Sequence, residues 1–181
     1  MGAAAVAVQA EAQDIVSVPN ETLRVREFAP DDARAVDRIA LSAFSQFAGS
    51  YDDWRALAAS LSRMSGLAAQ GEIVVVDLGS RLVGAVAYIP PVASKAAFFD
   101  PDWPVIRMLV TDPDFRRRGV GHALTDACLA RAKRDGAKII ALHTSPIMTV
   151  ALPMYLRMGF TKLRDAPPIF GVEYAVYVKA L

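Results

Sequence analysis

Leu23-Arg24-Val25-Arg26-Glu27-Phe28 alternates apolar and charged residues, the period of a strand with one buried face. The period then changes. Pro30-Asp31-Asp32 offers a helix start with acids in its first turn, and Ala33, Val36, Ile39, Ala43 and Phe47 follow at helical spacing up to Gly49-Ser50. A second helix is expected from near Asp52, with Trp54, Leu57, Leu61 and Met64 on one face and Gly66 to Gly71 closing it. Glu72–Asp77 and Arg81–Ile89 are apolar runs joined by Leu78-Gly79-Ser80, which predicts an antiparallel hairpin stopped by Pro90-Pro91. Residues 92–102 read as a loop ending in Asp100-Pro101-Asp102. Beyond it come a strand through Val105–Val110 and a helix from Val120 to Lys133 with Val120, Leu124, Ala127 and Cys128 facing inward. Lys138–His143 has few polar interruptions, as expected of a strand deep in a sheet. A short helix from about Thr149 to Arg157 follows, in which Pro153 is tolerable only near the start. Strands Phe160–Leu163 and Val172–Val178, separated by a loop holding Pro167-Pro168, finish the chain. This order predicts an α+β fold of the three-layer α/β/α type, a mixed and mostly antiparallel sheet of about seven strands with about four helices.

Composition narrows the picture in a few places. A length of 181 residues fits one domain able to bury its own core. Residues 21–181 read as that domain, and the alanine-rich residues 1–20 as a flexible extension. The formal net charge of +1 argues against nucleic acid or an anionic membrane as a partner of the whole surface. A single cysteine, Cys128, excludes an internal disulfide framework, and its place mid-helix reads as a packing thiol rather than a nucleophile. Two histidines, His122 and His143, stand too far apart in sequence to suggest a metal site. No run reaches the roughly 18 apolar residues of a membrane span. The start Met1-Gly2-Ala3-Ala4-Ala5-Val6 lacks the basic opening of a secretory signal, so a cytoplasmic location is expected.

The chemistry concentrates at one turn. Between the strand ending at Val110 and the helix beginning at Val120 stands Arg116-Arg117-Arg118-Gly119-Val120-Gly121. The first turn of a helix leaves backbone N–H groups unpaired and carries partial positive charge, so each exposed arginine there is unfavourable by roughly 0.3–1 kcal/mol. A bound phosphate would remove the conflict, with Gly119 and Gly121 letting successive N–H groups approach the oxygens. The other reading of these residues is a solvated arginine cluster. The Walker-type loop is absent, and a dinucleotide fingerprint would need glycine where Leu124 stands.

Two motifs in this order resemble the GNAT superfamily of acyl-CoA-dependent N-acetyltransferases. The first is Arg116-x-x-Gly119-x-Gly121, after the fourth strand. The second is Ala151-Leu152-Pro153-Met154-Tyr155-Leu156-Arg157-Met158-Gly159-Phe160, after the fifth. The resemblance covers roughly residues 22–179 and implies a GNAT-like fold and transfer of an acetyl group from acetyl-CoA to an amine, small-molecule or peptide, by direct attack in a ternary complex. It implies that Arg116, Arg117, Arg118, Gly119, Val120 and Gly121 hold the pyrophosphate. It further implies that Met108, Leu109 and Val110 lend main-chain groups to the pantetheine arm, where the fourth and fifth strands splay, and that Tyr155 assists the departing thiol. Many members form homodimers. Two positions depart from the family pattern: Met148 replaces a cofactor-contacting Asn, and Val105 replaces a Glu that serves as base or water-holder. These departures keep open an alternative, a non-catalytic acyl-CoA-binding or regulatory module.

With Val105 unable to act as a base, the candidates for deprotonating the acceptor are His143, Glu173, Asp102 and Asp100. His143 ends the fifth strand, and the ordinary imidazole pKa of about 6.5 suits that task. A satisfied structural histidine is the competing reading. Neutralising a lysine-type amine at pH 7 costs about 4.6 kcal/mol but an α-amino group only about 1 kcal/mol, so a site without a strong base suits low-pKa amines. The resemblance implies an acceptor pocket at the bend that Phe47, Tyr51 and Trp54 straddle; Trp54 reads as core, Phe47 and Tyr51 as either core or pocket, and Pro167-Pro168-Ile169-Phe170 as the opposing wall.

Overall fold

The structure, a computed structural model, describes residues 22–181; the expectation for residues 1–20 lies outside the described residues. Seven strands form one sheet: β1 (Leu23–Glu27), β2 (Glu72–Leu78), β3 (Arg81–Ile89), β4 (Val105–Thr111), β5 (Ile139–Thr144), β6 (Thr161–Ile169) and β7 (Val172–Ala180). Their order across the sheet is β1-β2-β3-β4-β5-β7-β6. Among the described strands only β4 and β5 run parallel, joined through the helical crossover that parallel neighbours require. The α-helices are α1 (Ala33–Ser45), α2 (Trp54–Leu61), α3 (Val120–Arg134) and α4 (Ala151–Arg157).

Strand alternation divides the core in two. On one face α1 buries Val36, Ile39, Ala40 and Ala43 against Ile73, Val75, Ala85, Ala87 and Val110. On the other, α3 and α4 bury Val120, Leu124, Cys128 and Tyr155 against Val74, Val76, Val86, Ile106 and Leu142. Val74, Val75 and Val76 thus feed opposite faces in turn, and the three layers follow. Cys128 is fully buried, with its thiol pushed up to about 12 by burial, as a packing residue should be.

Several boundaries differ from the sequence expectation. The first helix opens as a 3-10 turn, Pro30–Asp32, and ends at Ser45, so Phe47 lies beyond it. The second stops at Leu61, and Met64–Ala69 is a separate 3-10 segment. The largest difference is at Pro167-Pro168, expected in a loop but placed inside β6. β6 is an edge strand, where proline removes no ladder bond that the sheet needs, and the register shifts between Ala166 and Ile169 absorb the pair. Pro153, by contrast, sits at the third position of α4, where its missing N–H is not required.

Candidate active site

The site begins with a defect in the sheet. β3 pairs with β4 through Ala85↔Val110 and Ala87↔Arg107, so two steps on β3 oppose three on β4. The extra residue is a β-bulge, and Met108 takes φ 55°, a left-handed conformation that a long side chain adopts only under constraint. On the other edge, β4 and β5 register only at Val105↔Ala141 and Ile106↔Leu142. The two central strands therefore part just where β4 bulges.

The N-terminus of α3 overlooks this gap. Gly84 of β3 lets the helix approach, since a Cβ there would lie 2.5 Å from Val120 Cγ1. Gly119 caps α3 with φ 84°, and Arg117 takes φ 60°. The first helical bond is Ala123 N–H to Gly119 O at 3.0 Å, so the N–H groups of Val120, Gly121 and His122 have no acceptor within the helix. A cavity of about 270 Å³ opens here between α1, β4, α3 and α4, reached by Arg116, Arg117 and Arg157 and lined by no carboxylate. Arg116 donates to Gln46 Oε1 and Ala43 O, both at 3.1 Å, tying the turn to α1. Arg117 is exposed at the rim. Arg118 lies off this lining, with its guanidinium 5.3 Å from the Phe115 ring centroid, across which Arg81 also stacks at 4.6 Å. His122 is exposed at the rim.

A second cavity, of about 550 Å³, adjoins the first through the shared lining residues Phe44, Leu109, Met148 and Ala151. Tyr155 and His143 both line it. Tyr155 is 5% exposed, and its hydroxyl has no hydrogen-bond partner among the described residues. Burial pushes its pKa above the ordinary tyrosine value, so it is a neutral donor at neutral pH. His143 sits among the rings of Phe98, Phe99 and Tyr174, at centroid distances of 5.6, 5.8 and 5.3 Å, and its buried Nδ1 has no partner among the described residues. Burial, and then the charge of Arg107, brings its pKa down to about 4, well below the value expected of a free imidazole. Tyr174 in turn shares a 2.6 Å hydroxyl bond with Tyr51, and burial raises both phenols.

Of the other candidate bases, Glu173, Asp100 and Asp102 line neither cavity; Asp100 Oδ1 accepts from the Asp102 N–H at 2.9 Å, closing the loop. Val105 is buried, and Met148 stands at the junction of the cavities. Phe47 lines the smaller cavity, Tyr51 lines neither, and Trp54 packs with Leu57, Leu61 and Tyr174. Pro167, Pro168, Ile169 and Phe170 do form a wall of the larger cavity. Sequence reasoning missed Arg157, Arg107, Lys95, Phe98 and Phe99. Arg157 lies inside the quoted second motif, one turn from Met154, and its helical spacing was the available signal. The others belong to a strand and a loop whose approach to β5 nothing local announces.

Unpaired helix N–H groups, two adjoining left-handed turns and three arginines without a carboxylate among them suit a polyphosphate ligand. The chain belongs to the acetyltransferase (GNAT) family, whose model matches residues 34–160. Two curated relatives match locally. A mycothiol acetyltransferase of Geodermatophilus obscurus is 39% identical over 57 residues, 32% of this chain and 18% of its own length. An uncharacterized N-acetyltransferase of Methanocaldococcus jannaschii is 38% identical over 55 residues, 30% of this chain and 24% of its own. These matches thus span about a quarter or less of those proteins. Among solved structures, Ard1 from Thermoplasma volcanium covers 88% of this chain and 97% of its own with TM-score 0.70 and 20% identity. The PaiA N-acetyltransferase of Thermoplasma acidophilum, solved in complex with coenzyme A, covers 88% and 99% with TM-score 0.62 and 14% identity. Both likenesses establish the fold. Among the described residues no helix is long and apolar enough to cross a membrane.

Proposed function

We propose that this protein transfers an acetyl group from acetyl-CoA to an amine in a ternary complex. The observation that carries the reading is the parting of β4 from β5 at the Met108 bulge, between the α3 start with its unpaired N–H groups and Tyr155. In this reading Gly119, Val120 and Gly121 present N–H groups to the pyrophosphate, while Arg116, Arg117 and Arg157 supply charge. Arg118, turned onto Phe115, serves phosphate groups outside the cleft. Met108, Leu109 and Val110 offer main-chain groups to the pantetheine arm. Acetyl-CoA supplies an acyl group activated as a thioester. The amine forms the new N–C bond, the C–S bond breaks, and the proton lost by nitrogen balances the one gained by sulfur. Tyr155 donates a hydrogen bond toward that sulfur as negative charge grows there.

His143 gives the pocket's own account of how an amine loses its proton. An imidazole held near pKa 4 is a weak acceptor, so it fits the role of a neutral hydrogen-bonding wall better than that of a strong base. The same burial and the same Arg107 charge act on any ammonium brought beside it, favouring the neutral form. The test is incubation of the full chain with acetyl-CoA and a panel of amines, reading free thiol and the N-acetyl product together. Stoichiometric release of both is expected; coenzyme A binding with no release across the panel would instead make the protein a binding module.

A further inference from the structure

The larger cavity differs from the smaller in what it offers the substrate body. Much of its lining is aromatic and aliphatic, including Phe44, Phe98, Phe99, Leu61 and Ile89. No aspartate or glutamate lines it, while Arg107 and Lys95 do. Lys95 is already engaged: its Nζ donates to Pro101 O at 2.8 Å and Trp103 O at 2.9 Å, and Asp102 and Asp100 lie close enough to act on its charge. Arg107 is not. Its single hydrogen bond goes to the neutral Gln70 Oε1 at 3.2 Å, it makes no ion pair among the described residues, and its side chain is exposed. Its charge also reaches the interior of the cavity, where it acts on His143. An acceptor with a second cationic group would meet the charge of Arg107 and no carboxylate in the lining. An acceptor with a carboxylate would find a guanidinium free to bind it by both its N–H edges.

We infer that the acceptor is a small amine carrying both a carboxylate and an apolar or aromatic body, of which an apolar α-amino acid is the simplest, and that Arg107 selects it by pairing with the carboxylate. This rests on the acetyl-transfer reading above. Arg107 is a specificity residue: it holds the acceptor's far charge and takes no part in bond making.

The experiment compares kcat/KM for L-phenylalanine, L-leucine and L-methionine with that for their decarboxylated counterparts, and for the diamine cadaverine. The acids should lead their decarboxylated partners by about tenfold or more, the order of one charge-assisted pair. Because that ratio is internal to each protein, it survives a loss of active fraction. Arg107→Gln should bring it within about threefold of unity, and Arg107→Lys should restore part of it. Cadaverine or the decarboxylated amines turned over as well as the acids, or an unchanged ratio in Arg107→Gln, would overturn the inference while leaving acetyl transfer standing. If no amine releases thiol, acetyl transfer itself falls, and the inference is read by titrating the same pairs into coenzyme A-saturated protein. Preferential binding of the acids, lost in Arg107→Gln, upholds it; equal or absent binding overturns it.

Discussion

The two ends of α3 are both rich in arginine and could hardly be more differently furnished. At its C-terminus Arg131 pairs with Glu27 and with Glu72 at 2.9 Å, and Arg134 with Glu72 and with Asp135 at 2.8 Å. These cations face the negative end of the helix and are matched by acids from β1 and β2. At the N-terminus Arg116, Arg117 and Arg118 face the positive end, and none makes an ion pair among the described residues. One cluster is complete within the chain. The other is not, and it is there that the cavities open; on the proposed reading the cofactor's phosphates complete it.

The contrast breaks most sharply if the N-terminal cluster is given the acid it lacks. Gly121→Glu should weaken coenzyme A binding by about 100-fold or more, the cost of placing a carboxylate against a polyphosphate. Thermal stability should change little, since an acid suits the helix's first turn while the new Cβ, 3.2 Å from Met154 Sδ, makes that side chain give way. Calorimetric titration beside a melting curve reads both. Tyr155→Phe should lower kcat by about 100-fold, the order seen when one preorganised donor is lost, with coenzyme A affinity within about twofold. An unchanged kcat would remove Tyr155 from the mechanism.

Truncating single arginines separates the ends more finely. Arg117→Ala should cost about tenfold in coenzyme A affinity and flatten its dependence on salt, without moving the melting point. Arg131→Ala should do the converse. With its side chain only 13% exposed and two carboxylates to satisfy, its loss should cost about 1–2 kcal/mol, a melting shift of several degrees, with coenzyme A affinity unchanged.

The smallest effects are in pH. Glu72's folded carboxyl lies below its unfolded value, chiefly through Arg134. The stability it contributes is complete above the unfolded pKa of about 4.3 and fades as pH falls through the folded one. His143 acts at higher pH. Its folded pKa of about 4 lies below the unfolded 6.5, so between them the unfolded chain binds more protons and stability falls as pH is lowered. His143→Leu should lose less melting temperature than the wild type between pH 7 and pH 5. The rate profile should likewise show no inflection near 6.5; one there would restore His143 as a base of ordinary strength.

The same contrast explains what was legible in the chain. The turn proposed for the donor could be singled out in the sequence because its determinants are local. Three arginines, two glycines and a helix start within six residues force a statement about charge, and Tyr155 follows in a second contiguous run. Even there, neighbours decided details. Arg118 was diverted onto Phe115, and Arg157 joined from α4. The larger cavity, proposed for the acceptor, is assembled from α1, α2, β3, the loop before β4, β4, β5, α4, β6 and β7. Arg107 reads in sequence as one polar break in an apolar strand, and its place in the cavity lining is a tertiary fact. His143 carried its ordinary pKa into the reading because burial among three rings from separate segments is a tertiary fact. Pro167-Pro168 was set in a loop because local rules do not say which strand will be an edge.

The bulge at Met108 has a further consequence. Ending the β4–β5 ladder after Ile106 and Leu142 gives the sheet an inner edge, in its middle rather than at its rim. Edges of this kind accept extended chains by strand addition. On the proposed reading, the amide-bearing pantetheine arm is a borrowed segment of sheet. The donor would then be a folding partner as much as a reagent, and saturation with it should raise the melting temperature and slow amide exchange in β4 and β5 ahead of any other strands.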